Sequence, residues 1–297
     1  MPRIVTPPRG AVTPIVMNRS SQFARQLVGW WPAANRVGTW GQPRWRDATG
    51  NGTDLGYIGT SSFDASAWRG NGERLGWKNG EIGNDDCFKG DAGNNFDFNG
   101  VSQLTFSQWL FFRDTSAADY ENPFSKLSDE TYPAFGTQRH VGAGNWFFLM
   151  VTDPGGNPGK RGMDSGVDIS GGNAQRWVMA TCTYDSGTAR TYFDGALTAT
   201  ATGWGTEVVE DNYPLILGAN PDGHSAQRHY AQADIDDTRV WKRALSAPEI
   251  ARLYKETRGG GYGSLAIQPR IFWEPSEGAA AVAQSAPIFL ATTQAGL

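Results

Sequence analysis

The sequence is short of cysteine, histidine and charge, and each shortage excludes something. Two cysteines, Cys87 and Cys182, cannot build a disulfide framework across 297 residues. They leave two readings open: buried small hydrophobes, or one Cys87–Cys182 bridge if the fold brings their Cβ atoms together. Only three histidines are present, and Asp185, Ser186 and His224 do not make a triad pattern. Charged residues are 19% of the chain, the net charge is −4 and no dense Lys/Arg run occurs, which argues against a nucleic-acid binder. No run is long and apolar enough for a membrane-spanning helix. Pro2, Pro7, Pro8 and Pro14 interrupt the N-terminus, so it lacks the apolar core of a secretory signal and points to synthesis in a cytoplasm. There is no CxxC, no HExxH and no Gly-rich phosphate loop leading into a helix.

What is present is glycine, 38 residues, and tryptophan, 12 residues, the make-up of a loop-rich β-protein. The stretch from Gln175 to Lys255 is the most legible. Arg176–Tyr184 reads as a strand with Val178, Ala180, Cys182 and Tyr184 on one face. A turn at Asp185-Ser186-Gly187 leads to a strand over Ala189–Phe193. Asp194-Gly195 is a two-residue hairpin signal, because both residues tolerate positive φ. Ala196–Ala201 completes the meander, and Leu215–Gly218 and Ile235–Trp241 add strands. Ser246-Ala-Pro-Glu249 then reads as a capping box opening a short helix with Ile250, Leu253 and Tyr254 on its apolar stripe; Gly259, Gly260 and Gly261 stop it.

Earlier in the chain, Leu27–Pro32 begins the domain, and strands are expected at Leu104–Phe112, Pro123–Leu127, Tyr132–Gly136 and Asn145–Val151, the last central and covered on both faces. Residues 53–94 read as a long loop insertion with one or two short strands, and Asp153–Gly162 as a Pro/Gly loop. Residues 1–26 read as a Pro-rich extended arm. Residues 258–297 read as a second arm, uncharged from Gly278 onward, that either folds back on its own domain or adds to a neighbouring subunit.

The runs RWVMATCTYDSGTARTYFDG and ADIDDTRVWKRALSAPEIARLY resemble the strand pair and closing strand–helix of laminin-G-like, concanavalin A-like lectin/glucanase domains. LVGWWP, DATGNG, NFDFNG and LTFSQWLFF resemble further strands and turns of that family, so the likeness covers residues 27–257. It implies an all-β fold: a two-sheet antiparallel jelly-roll sandwich with one short C-terminal helix, here between extended N- and C-terminal arms.

Function has to come from sites, because this fold hosts binders, enzymes and structural modules. Glycosidases of the fold carry carboxylates at alternate positions of one strand, and no such run occurs here; Glu207, Glu210 and Asp211 read as a solvated loop. By resemblance, Asp236 and then Asp47 are candidate ligands of a structural Ca²⁺. The competing reading pairs Asp236 and Asp237 with Arg239 or Arg243, or with backbone N–H groups. His224 and His229 read as exposed loop residues. Sugar sites need aromatic platforms, and the loop tryptophans Trp68, Trp77 and Trp204, with Trp40 and Trp45 behind them, are the candidates; each could equally pack its own loop. The resulting expectation is a non-enzymatic virion structural or decoration protein at a capsid or tail surface. Its arms would hold neighbouring subunits in a homo-oligomer, and its jelly roll would face surface glycans. A cell-surface carbohydrate-binding module and a divergent glycoside hydrolase or lyase are the alternatives.

Overall fold

A computed structural model describes residues 15–37, 44–58, 68–69, 74–75, 77–78, 87–90, 96–113, 120–127, 133–140, 144–152, 159–170, 174–210, 214–222, 226–228 and 231–267. In chain order the strands are β1 (Val16–Met17), β2 (Leu27–Trp31), β3 (Arg36–Val37), β4 (Arg44–Trp45), β5 (Leu55–Ile58), β6 (Trp68–Arg69), β7 (Arg74–Leu75), β8 (Trp77–Lys78) and β9 (Cys87–Lys89). Next come β10 (Gln103–Phe112), β11 (Glu121–Leu127), β12 (Pro133–Arg139), β13 (Asn145–Thr152), β14 (Gly159–Asp168), β15 (Trp177–Asp185), β16 (Thr188–Phe193) and β17 (Ala196–Ala201). β18 (Ile216–Leu217), β19 (Asn220–Asp222), β20 (Ala226–Arg228), β21 (Ala233–Trp241), the helix α1 (Ala247–Thr257) and β22 (Ala266–Ile267) follow among the described residues.

Among the described residues two antiparallel sheets dominate. The first runs β17-β16-β15-β10-β21-β2, with β8 pairing the start of β21; the second runs β14-β13-β12-β11-β18-β9-β5-β4-β3. Alternation builds the layer between them. Val178, Ala180, Cys182 and Tyr184 of β15 all enter that core, as the spacing predicts, and Leu104, Phe106, Leu110 and Phe112 of β10 join them. The meander forms as expected: Asp194 and Gly195 take φ of 49° and 82° at its tip. A Cβ on Gly195 would sit 3.0 Å from Cβ of Tyr254 on α1, so this position needs glycine twice over.

The outer face of the first sheet is also covered. Ile15, Met17, Phe23, Trp30, Trp109, Met179, Trp241, Ile250, Leu253, Tyr262 and Leu265 form a second apolar cluster under α1 and the two ends of the domain. The arms drawn at 1–26 and 258–297 are therefore too long. Residues 15–26 and 258–267 are part of this cover: β1 pairs β22 through Val16↔Ile267 and Met17↔Ala266, and Trp241 Nε1 donates to the Phe23 carbonyl at 2.7 Å. No local pattern announces a pairing between residues some 250 positions apart. Residues 1–14 and 268–297 lie outside the described residues.

Two smaller expectations change. β13 is not central but one strand from the sheet edge, flanked by β14. β14 begins at Gly159, within the segment read as loop; its run of Gly and Asp has little strand propensity, which an edge position tolerates. Of the two readings of the cysteines the first holds: Cys87 and Cys182 are buried thiols in different sheets with no disulfide between them, and burial pushes the Cys182 pKa up.

Candidate functional site

The acidic run Asp234–Asp237 of β21 is sealed. Opposite Gln108 the register slips between Ser107↔Arg239 and Trp109↔Asp236, so β21 carries an extra residue there, and Asp237 takes φ of 53°. That bulge turns Asp236, Asp237 and Arg239 all toward the outer cover. Asp237 accepts Trp30 Nε1–H at 2.7 Å and a two-pronged Arg239 pair at 2.7 and 2.8 Å. Asp236 accepts the Ala33 N–H at 2.8 Å and the Tyr262 hydroxyl at 3.3 Å. The Arg239 guanidinium lies 5.3 Å from the Trp30 ring centroid and donates to the Tyr262 carbonyl. Donors thus meet both carboxylate oxygens of Asp237, which makes the buried pair tolerable, while Nη1 of Arg239 has no hydrogen-bond partner among the described residues.

Asp47 is treated alike. It accepts the backbone N–H groups of Trp30 and Thr49 and the Thr49 hydroxyl. Burial pushes its carboxyl above the ordinary range, and these bonds only partly pull it back. A Ca²⁺ site needs oxygens converging on one point. Here donors converge on each carboxylate, so neither Asp47 nor Asp236 fits a metal ligand as placed. No cluster of three His, Cys, Asp or Glu side chains that could hold a metal occurs among the described residues. His224 and His229 lie outside them.

Two further ion pairs stand inside the sandwich. Arg139 and Glu121 are direct partners across β11 and β12, 3.0 Å apart, with the guanidinium 4.8 Å from the Phe112 ring centroid. Lys126 of β11 meets Glu210 at 2.9 Å, with both side chains 1% exposed. The segment carrying Glu210 closes one end of the sandwich: Val208 bonds Val101 and Gly100, Gly205 N–H donates to Thr152 Oγ1, and the Tyr184 hydroxyl donates to the Gly205 carbonyl. Glu210 is thus no solvated loop residue. Burial lowers the Lys126 pKa and raises that of Glu210, each partly offset by the other.

The tryptophans divide sharply. Trp204 is buried and stacks on Phe148, with centroids 5.9 Å apart; Trp45 is buried against Phe88. Neither has a face to offer a sugar. The backbones of Trp68 and Trp77 lie in β6 and β8, and β8 registers Trp77↔Ile235 and Lys78↔Asp234; their side chains, and Trp40 altogether, lie outside the described residues.

The sequence reading missed a different aromatic pair. Trp177 and Phe111 are direct partners across β15 and β10, with ring centroids 5.8 Å apart and planes tilted by 55°. Phe111 is in turn the partner of Asp234, whose Oδ1 lies 3.5 Å from Nε of Arg113. Both rings are partly exposed. Strand position alone places them with the core tryptophans; only the extent of the cover separates them.

A lectin-type jelly roll with a sealed acidic strand is the class this geometry defines. A family model described as the concanavalin A-like lectin/glucanases superfamily, of the third laminin G type, matches residues 83–251, more than half of the chain. The chain belongs to that superfamily. Among solved structures it is similar to the binding domain of Paraclostridial Mosquitocidal Protein 1, at TM-score 0.55 and 15% identity over 78% of this chain and 52% of that one. It is similar to the binding domain of botulinum neurotoxin DC in complex with rat synaptotagmin II, at 0.54 and 11% over 78% and 52%. It also resembles the ligand binding domain of botulinum neurotoxin serotype D in complex with N-acetylneuraminic acid, at 0.52 and 12% over 78% and 51%. The chain thus spans about half the length of these structures, and the likeness is one of fold. No curated protein matches it in sequence.

Proposed function

We propose that this chain is a non-catalytic glycan-recognition module. The observation that carries the reading is the cover over the first sheet. Glycosidases of this fold need carboxylates reaching a substrate from one strand. In β21 the carboxylates of Asp236 and Asp237 are spent on Trp30, Ala33, Tyr262 and Arg239 beneath an apolar layer. Recognition is then left to the loops and sheet margins. Solved neighbours of the fold include one in complex with N-acetylneuraminic acid and one in complex with rat synaptotagmin II, which supports binding as the kind of activity to seek.

The test is the full chain on a printed glycan array, with each bound polysaccharide then incubated and assayed for new reducing ends or unsaturated products. Saturable binding without new ends is expected. Turnover of any bound polysaccharide refutes the non-catalytic reading, and an array without signal refutes glycan recognition.

The module is mounted, on this reading, at a virion surface, as a capsid or tail decoration that self-associates and touches neighbouring subunits. One observation favours mounting: β1 and β22 pair through Val16↔Ile267, so the segments before residue 15 and after residue 267 join the domain at the same ribbon. Val16, 57% exposed within that ribbon, fits a contact there. No helix among the described residues is long and apolar enough to cross a membrane. Sedimentation of the native source on a density gradient, with peptide mass spectrometry across it, decides. Peptides in fixed ratio to a capsid protein are expected; peptides confined to soluble or envelope fractions refute the virion placement.

A further inference from the structure

The cover of the first sheet stops one row short of its end. Outward-facing residues form cross-strand rows: Met179, Trp109 and Asp236, then Trp177, Phe111 and Asp234. α1 seals the former. Tyr254 stacks on Trp109 with centroids 5.8 Å apart, and Thr257, the last helical residue, accepts from Trp109 Nε1 at 3.1 Å. Trp109 and Met179 are buried accordingly, whereas Phe111 and Trp177, one row on, are partly exposed.

We propose that this row is the sugar subsite of the chain, and that it takes the apolar C–H face of a neutral hexopyranose. The inference rests on the glycan-recognition reading and adds a place and a chemistry to it. A pyranose ring has a flat C–H face and a rim of hydroxyls, so its site wants an aromatic platform with a few fixed polar groups beside it. Phe111 and Trp177 supply the platform. Arg113, two residues beyond Phe111, supplies the polar edge: its side chain is 21% exposed and is pinned by the fully buried Asp234. Gln175, exposed and held at φ of 58°, bonds the Arg113 carbonyl and completes the rim. Charge decides between neutral and acidic sugars. Arg113 is balanced by Asp234, and Arg176, beside Trp177, is balanced by Asp194 at 2.9 Å. Among the described side chains the cations of this row are matched, and they offer no net attraction to a sugar carboxylate.

Methyl glucoside, methyl galactoside, methyl mannoside, lactose and sialyllactose are titrated into the full chain and read by tryptophan fluorescence and saturation-transfer NMR. Trp177→Leu, which keeps apolar bulk but removes the flat face, and Phe111→Ala are compared with Trp77→Ala, each with its melting temperature. The expected result is binding of at least one neutral hexoside, weakened about tenfold or more by Trp177→Leu and by Phe111→Ala. Sialyllactose should bind no tighter than lactose. Neutral-sugar binding that survives both substitutions but is lost in Trp77→Ala overturns this subsite and leaves the glycan reading standing. Tighter binding of sialyllactose overturns the neutral chemistry. A wild-type chain that binds no probe here and no glycan on the array removes the reading and the subsite together.

Discussion

Lys126 and Glu210 offer the sharpest test of the packing argument. Both side chains are 1% exposed, and their contact joins β11 to the segment that closes one end of the sandwich. Lys126→Met leaves the Glu210 carboxylate buried without its cation, with the negative influence of Asp97 still acting on it. Breaking a buried pair from one side costs about 3–5 kcal/mol. At about 3 °C per kcal/mol for a domain of this size, the melting temperature should fall by about 10–15 °C near pH 8. The cost should shrink in acid. Burial already raises the Glu210 pKa, Lys126 is the largest influence lowering it, and removing Lys126 raises it further. A group with a raised folded pKa has its favourable contribution in full below the unfolded value, near 4.5, and loses it as pH rises through the folded pKa. The variant's deficit should therefore fall toward about 1–3 kcal/mol near pH 5, the cost of a buried neutral polar group.

Replacing both partners, Lys126→Met with Glu210→Leu, removes both buried charges. That double variant should melt near or above the wild type, since apolar replacement of a buried pair is often neutral or stabilising by about 1–4 kcal/mol. Thermal unfolding followed by circular dichroism at the two pH values reads all three chains. The reasoning is refuted if the single variant loses under about 1 kcal/mol, if its deficit is the same at both pH values, or if the double variant is as unstable as the single one.

Two other outcomes follow from the hydrogen bonds. Glu249 accepts both the N–H and the hydroxyl of Ser246 and pairs with Arg243 at 2.8 Å. Burial pushes its carboxyl up, but these donors outweigh it and hold the pKa low. Glu249→Ala should cost about 1 kcal/mol above the unfolded value near 4.5, and the two chains should converge as pH falls through the folded pKa; a constant gap in acid would contradict the assignment. Because donors already occupy both oxygens of Asp47 and Oδ1 of Asp236, millimolar Ca²⁺ and EDTA should give equal melting temperatures, and a rise of several degrees with Ca²⁺ would contradict that reading.

The legible parts of this protein are those written within a few residues of one another. Asp194-Gly195 fixes a hairpin because its two residues accept the needed backbone angles, and Ser246 with Glu249 fixes a helix start because three positions suffice for the cap. The inward face of β15 is legible for the same reason, since alternation is local. What fails is anything that depends on a distant partner. The competing reading of Asp237, a pair with Arg239, could be written from sequence, but the bulge that sends both adjacent aspartates to one side could not. Trp204 reads as a loop residue and becomes core because its segment folds across the sandwich end to Phe148. Residues 15–26 read as an arm because their partner strand lies at the far end of the chain.

The cover links these outcomes. A jelly roll with one free sheet face can set polar groups there for a ligand or a reaction. Once α1, Trp30 and Tyr262 lie over that face, a carboxylate beneath needs donors of its own: Asp237 takes them on both oxygens, and Oδ1 of Asp236 takes two. The same layer fixes where recognition can begin, because its last residue, Thr257, ends over Trp109. Phe111 and Trp177 are one strand register beyond it. Their exposure is thus a consequence of helix length: with α1 one turn longer, about 5.4 Å further, the row would be covered. Gly259, Gly260 and Gly261 end the helix where they do, and so the position of a glycine run sets how much aromatic surface this domain presents.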